Sequence, residues 1–282
     1  MAIAAMPTTQ LPSGESMAVL GQGTWHLGVG RHPAQEEVAA LRLGLSLGMT
    51  VVDTAEMYGD GASERLVGRA LAARRDDAFL VSKVLPHHAT RRGTIDACER
   101  SLRRLDTDRL DLYLLHWRGQ VPLEETVEAF DILLAAGWIR HWGVSNFDLG
   151  DMTELLCVGG GTAVECDQVL YNLSRRAIEY DLMPWCHSIG LPIMAYSPIE
   201  EGRLARHPVL TQIAAEHGAT AAQVALGWVL MHDGVSAIPE AGTREHVAEN
   251  RAALDLHLSS EDFAALEEAF PPPREPRPLE VM

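Results

Sequence analysis

Four side chains in this sequence have the types and the order to run proton chemistry: Asp53 and Tyr58 within the stretch 51–59, then Lys83 and His116. A lysine at the mouth of a sheet loses solvation, which is costly unless a carboxylate pairs with it, and Asp53 is the available partner. The pair would hold a positive charge beside Tyr58. A phenol titrates near about 10 in water and a neighbouring cation lowers that value, so Tyr58 is expected to be tuned towards neutrality, where it can give or take a proton. His116, followed by Trp117, could orient a carbonyl oxygen and share in the transfer. The group suits protonation of an oxygen and requires no metal.

The partner reaction at carbon is narrower. Gly143-Val144-Ser145-Asn146 lacks the glycine after serine that a nucleophile elbow requires, so no serine or cysteine nucleophile is marked. A hydride from a nicotinamide fits better. Ser145, Asn146 and Gln168 offer donors and acceptors suited to a carboxamide, and Tyr196 a flat face for a ring to stack on.

These residues can act together only if the chain folds so that they converge. Short apolar runs at 21–24, 50–53, 79–83, 110–116, 139–145, 163–168, 191–197 and 235–239 read as eight strands. Amphipathic segments between them, at 33–47, 63–73, 94–105, 122–136, 149–156, 177–188 and a broken pair over 209–231, read as helices. Gly48, Gly137, Gly190 and Gly218 stand just past helix ends. A hairpin over 8–20 precedes the first unit, expected to cap the bottom, and further helices follow the last strand. Eight parallel units of about 30 residues imply right-handed crossovers and closure into a (β/α)8 TIM barrel. An open dinucleotide-binding sheet is discounted, because Gly21-Gln22-Gly23 is followed by His26 where the third glycine should stand. In the barrel Asp53, Lys83, His116, Ser145, Gln168 and Tyr196 or Ser197 fall at the C-terminal ends of consecutive strands, the face on which such barrels build their sites.

Composition removes other classes. With 282 residues the chain suits one domain, 1–282, and a net charge of -16 repels nucleic acid and anionic membrane surfaces. The N-terminus has no secretory pattern and the longest apolar stretch, 219–231, is too short to span a bilayer. Cys98, Cys157, Cys166 and Cys186 are scattered and read as buried free thiols in a reducing cytoplasm. A cytoplasmic monomer or weak homo-oligomer is expected.

The motifs, taken in order, carry a resemblance. Gly23-Thr24-Trp25, Asp53-Thr54-Ala55 with Tyr58 and Gly59, Ser82-Lys83, the run 111–117 ending in His116-Trp117, and Gly143-Val144-Ser145-Asn146-Phe147 appear in that sequence. Gln168 to Asn172, Tyr196-Ser197-Pro198, Ile238-Pro239 and Glu249-Asn250 follow. The chain resembles the aldo-keto reductases over essentially its whole length, most nearly short bacterial members of the methylglyoxal reductase type. The resemblance implies reduction of small aldehydes, ketoaldehydes or ketones, with Asp53, Tyr58, Lys83 and His116 as catalytic tetrad and Tyr58 as general acid. It implies NADP(H) as cofactor, with NAD(H) as a second possibility. The contacts implied are Gly23, Thr24, Trp25, Asp53, Ser145, Asn146, Gln168, Tyr196, Ser197, Pro198, Gly202, Ile238, Glu240, Thr243, Arg244, His246, Glu249 and Asn250. Trp25, Met57, Tyr58, His116, Trp117 and Phe147 are expected around the substrate, whereas Trp142 reads as core. The alternative within the family is a cofactor-sensing regulatory subunit with little turnover.

One stretch departs from the family pattern. Where a lysine, a small hydroxyl residue and an arginine commonly grip the 2'-phosphate of NADP, this chain has Glu240, Ala241 and His246. Either Glu240 points to solvent and Arg244, on a helix capped by Thr243, holds the phosphate, or selectivity is weakened and NADH is accepted. Glu200 and Glu201 add negative charge near the expected path of the pyrophosphate. The Pro-rich tail 271–282 cannot continue a helix and should lie extended over the surface.

Overall fold

The computed structural model describes residues 5–282. An antiparallel hairpin comes first, β1 (Thr8–Gln10) and β2 (Ser16–Ala18). Strand and helix then alternate: β3 (Gln22–Gly23), α1 (Ala34–Ser46), β4 (Val51–Asp53), α2 (Ala62–Leu71), β5 (Phe79–Val84), α3 (Arg91–Leu105), β6 (Leu110–Leu115), α4 (Leu123–Ala135), β7 (Ile139–Ser145) and α5 (Leu149–Cys157). The chain continues through β8 (Asp167–Leu170), α6 (Leu182–Ser188), β9 (Ile193–Tyr196), α7 (Pro208–His217), α8 (Ala221–Leu230), β10 (Val235–Ala237), α9 (Arg244–Ala252) and α10 (Ser260–Ala269). From β3 to β10 the strands are parallel and in sequence order. The last meets the first: Gly21 N–H donates to the Ala237 carbonyl at 2.8 Å, Ala237 N–H to Val19 at 2.8 Å, and Gly23 N–H to Pro239 at 3.0 Å. These bonds close the (β/α)8 barrel.

Two-residue alternation explains how this barrel presents a polar mouth above an apolar plug. Val51, Phe79, Val81, Leu112, Leu114, Cys166, Met194 and Ile238 form one buried cluster with Leu11, Met17 and Ala18 of the hairpin segment. The hairpin therefore plugs the bottom of the barrel. One inward step up from those residues come Asp53, Lys83, His116, Gln168 and Tyr196, so the same periodicity that fills the interior lifts polar groups to the opposite rim. A second, larger cluster lies between strands and helices and includes Trp142, stacked on Phe130 with centroids 5.1 Å apart.

Three expectations are corrected. The sixth barrel strand starts at Asp167, not at residue 163, because residues 161–163 form a 3-10 turn after two glycines; Gln168 is consequently near the strand's start. The helix expected over 177–188 is broken, a 3-10 turn at Ala177–Glu179 being separated from α6 by Asp181, whose non-helical backbone and side chain cap Leu182. Of the cysteines, Cys157 is exposed while the other three are buried. Among the described residues no helix is long and apolar enough to cross a membrane.

Candidate active site

At the rim the tetrad assembles around the Lys83 ammonium. Lys83 Nζ donates to Asp53 Oδ2 at 2.7 Å, to the Thr54 carbonyl at 3.0 Å and to Tyr58 Oη at 3.0 Å. Lys83 is fully buried and Asp53 is 2 % exposed, so either charge alone would be severely destabilising there and the pair is required by both. Gln168 Nε2 donates to the other carboxylate oxygen of Asp53 at 2.8 Å. The His116 ring meets Tyr58 edge to face at 5.8 Å between centroids.

A further layer holds β4 in place. The Ser63 hydroxyl stands 2.7 Å from that of Thr24 and 3.0 Å from that of Thr54, and Thr24 Oγ1 donates to the Asp53 carbonyl at 2.9 Å. Buried Glu64 accepts from Ser82 beside Lys83 at 2.7 Å and pairs with Arg104. Ser63 and Glu64 lie in the first turn of α2, and their role in bracing the lysine strand depends on α2 packing back over β4 and β5.

The electrostatics differ from the expectation at one residue. Burial raises the Tyr58 phenol well above its ordinary value, and the carboxylates of Asp53 and Glu240 push the same way. The expected lowering by Lys83 is overturned because Asp53, at 2.7 Å, cancels much of the ammonium's field at the phenol and desolvation decides. The shift favours the protonated phenol, whose oxygen accepts the Lys83 hydrogen bond. Burial also pulls Lys83 below its ordinary value, against the opposing pull of Asp53. For His116, burial and then the Lys83 charge depress the imidazole to about 2, so it is neutral. Its Nδ1 is buried without a hydrogen-bond partner.

The groups read as a carboxamide set do converge. Ser145 Oγ donates to the Gln168 carbonyl at 2.8 Å, Asn146 Nδ2 to the His116 carbonyl at 3.0 Å, and Tyr196 Oη to Asn146 Oδ1 at 2.9 Å. Asn146 has φ 56°, a left-handed conformation that asparagine tolerates better than most residues, and the turn aims its amide across the mouth. Ser197, Glu200, Glu201 and Gly202, on the loop after β9, also have positive φ.

A cavity of about 590 Å³ runs from this cluster to the start of α9. Gly23, Thr24, Trp25, Asp53, Met57, Tyr58, His116, Trp117, Ser145, Asn146, Gln168, Tyr196, Ser197, Pro198, Gly202, Ile238, Glu240, His246, Glu249 and Asn250 all border it. Four expected site residues do not, one of them Lys83, which is fully buried and reaches the site only through its bonds to Asp53 and Tyr58. Phe147 is fully buried and packs in the layer between sheet and helices, because it follows the turn at Asn146 and points away from the mouth. Arg244 lies in a separate groove with Arg42, Arg69 and Arg74, since the first turn of α9 directs it towards α1. Thr243 serves as the α9 cap, accepting from His246 N–H at 3.3 Å. Glu240 does not simply face solvent: its carboxylate accepts the His26 N–H at 2.7 Å and lies 3.3 Å from His26 Nδ1. Glu200 is buried rather than facing a ligand, and its carboxylate takes Asn172 at 2.7 Å and Arg175 at 3.0 Å. Arg175 also bonds Glu280 of the tail at 2.8 Å, and Met282 reaches the cavity. Arg31 and His32 border the cavity too, although their loop carries no pattern by which the sequence alone marks it.

The profile of the Aldo/keto reductase family matches residues 19–270. Methylglyoxal reductase YeaE of Escherichia coli K12 is 50% identical over 272 residues, covering 95% of this chain and 96% of that protein. Glyoxal reductase of Bacillus subtilis 168 is 33% identical over 256 residues, with 91% and 90% covered. An aldo/keto reductase from Klebsiella pneumoniae, solved with NADP and acetate, superposes with a TM-score of 0.95 at 48% identity, over 99% of this chain and 100% of that one. A structure of an aldo-keto reductase from the same organism with NADPH gives 0.96 at 48% identity, with the same coverage.

Proposed function

The chain belongs to the aldo/keto reductase family, and from that premise we propose that it reduces small aldehydes and ketoaldehydes of the glyoxal and methylglyoxal kind with NADP(H), Tyr58 acting as the general acid. The observation that carries this reading is the Lys83 ammonium bonded at once to Asp53 and to the Tyr58 hydroxyl, with neutral His116 alongside, at one end of a long cavity.

The residues present fit a dinucleotide. Asn250 Nδ2 is buried and unpartnered at the far end of the cavity, an amide donor available to a polar ligand, and Asn250 itself is 5 % exposed. Tyr196 borders the near end with its hydroxyl fixed by Asn146, which orients the ring as a stacking wall. Asn146, Ser145 and Gln168 would meet the carboxamide. When bound, the reduced nicotinamide supplies the hydride.

The chain's own residues then handle the oxygen. His116, neutral because it is buried beside Lys83, accommodates a carbonyl oxygen without bringing a second positive charge into the site. As negative charge develops on that oxygen, Tyr58 gives up its proton to it. The phenolate left behind is stabilised by the Lys83 hydrogen bond at 3.0 Å, so the ion pair acts on the product of proton transfer rather than by lowering the resting phenol. Trp25, Met57 and Trp117 give the mouth a partly exposed apolar rim, suited to a substrate with little beyond its carbonyls.

Tyr58→Phe is expected to lower kcat for methylglyoxal by about 10²-fold or more while NADPH still binds. A carbonyl panel followed at the reduced-nicotinamide absorbance, with binding measured separately, checks this. Unchanged turnover in the variant rules Tyr58 out as the acid.

A further inference from the structure

NADPH differs from NADH by one dianionic phosphate, and a chain with net charge -16 must supply local cations to hold it. Among the described residues bordering the cavity, the side chains able to carry positive charge are His26, Arg31, His32, His116 and His246. Two are engaged elsewhere. His116 belongs to the reacting cluster, and His26 is bound to Glu240. The other three come from two elements that touch. His32, at the end of the loop after β3, lies so close over Gly242 that a Cβ there would run into its imidazole. Gly242 in turn leads through the Thr243 cap into the first turn of α9, which carries His246. Arg31 adjoins His32, and none of these three side chains has a hydrogen bond or ion pair with the described protein.

The negative groups nearby are accounted for. Glu240 is held by His26 and Glu249 accepts the Thr220 hydroxyl, while Glu201 borders the cavity from the loop after β9. Arg244, the obvious cation by sequence, faces the groove with Arg42, Arg69 and Arg74.

We propose that Arg31, His32 and His246 form the recognition site for the ribose 2'-phosphate and thereby determine the choice of NADPH over NADH. The assignment rests on the proposed NADP(H) binding. Glu240 has no part in gripping the phosphate; it ties the loop after β3 across the barrel seam and so carries Arg31 and His32 towards α9. An arginine can place two parallel donors on phosphate oxygens, and each imidazole adds a ring N–H donor to the same dianion.

The test is direct binding without turnover. NADPH, NADH, adenosine 2',5'-bisphosphate and adenosine 5'-monophosphate are titrated calorimetrically into the wild type, Arg31→Ala and His246→Gln, with circular dichroism as the check on folding. Arg31→Ala is expected to raise the Kd of NADPH and of the bisphosphate about tenfold or more, with NADH changing less than twofold. His246→Gln, on the other element, should act in the same direction by a smaller factor. Equal losses for both dinucleotides, or unaltered NADPH binding in both variants, overturn the assignment while leaving the reductase reading intact. Failure of the wild type to bind NADPH overturns both.

Discussion

Two buried aspartates separate what a carboxylate needs from what it merely tolerates. Asp53, at 2 % exposure, has Lys83 on one oxygen and Gln168 on the other. Asp167, fully buried one position before Gln168 and so facing the helix layer, has no hydrogen-bond partner of ordinary geometry on either oxygen. Burial raises its carboxyl well above the usual range, although the Phe147 N–H pulls towards the charged form. Because the native state favours the protonated acid while the unfolded chain ionises near its ordinary value, this residue's contribution to stability falls as pH rises above about 4. Asp167→Asn, of the same shape and always neutral, should therefore raise the unfolding free energy from urea titration at pH 7 to 8 by about 1 kcal/mol or more, with a higher midpoint, and change little near pH 4. Parallel midpoint shifts at both pH values would argue against a buried neutral acid. The same residue-scale reasoning governs Tyr58: its spacing from Asp53 is plain in the sequence, but the direction of its pKa is set first by burial, with Asp53 and Glu240 adding to it.

Between elements, the attachment of the hairpin to the barrel is an ionic clamp. Glu15, in the β1 to β2 turn, meets His141 Nε2 at 2.6 Å and Arg140 at 2.7 Å, both on β7. The Ser13 N–H donates to Glu165 Oε2 at 3.1 Å, and His141 Nδ1 lies 3.5 Å from Glu165. Held chiefly by Glu165, with Glu15 adding to it and partial burial opposing, His141 titrates above its ordinary value. A raised folded-state value contributes stability that is complete below about 6.5, the value in the unfolded chain, and is lost as pH rises through the folded value. His141→Gln should accordingly lower the thermal midpoint at pH 6 and match the wild type at pH 9. A difference that stayed constant with pH would place the residue's contribution in packing against Phe79, on which its ring is stacked at 6.5 Å.

For the molecule as a whole, closure of the barrel depends on small residues at one seam. A Cβ on Gly21 would stand 2.8 Å from Val51 Cβ and 2.9 Å from the Val51 carbonyl, while the Gly21 N–H makes one of the bonds that join first strand to last. Gly21→Val should cost about 1–3 kcal/mol in chemical denaturation, because one strand must shift against its neighbours. An unchanged midpoint would mean that the seam yields without loss. The glycines that look at first like the start of a dinucleotide fingerprint thus act in close packing.

The barrel and the tetrad were legible in the sequence because both follow from local rules. Alternation in strands, glycine at helix ends and polar residues at strand termini are written within windows of ten or so residues, and once eight parallel units are counted the strand ends must share one face. The convergence of Asp53, Tyr58, Lys83 and His116 is therefore implicit in the sequence alone. What only the tertiary structure decided concerns pairs distant in sequence and the field they create: Glu240 bound to His26, Arg244 turned to an outer groove, Phe147 buried, the tail tied to Arg175, and a phenol raised rather than lowered. Each depends on which side of a turn a side chain leaves from and on how much water remains around it. Neither quantity has a period in the sequence, since both are set by the packing of elements 25 to more than 200 residues apart.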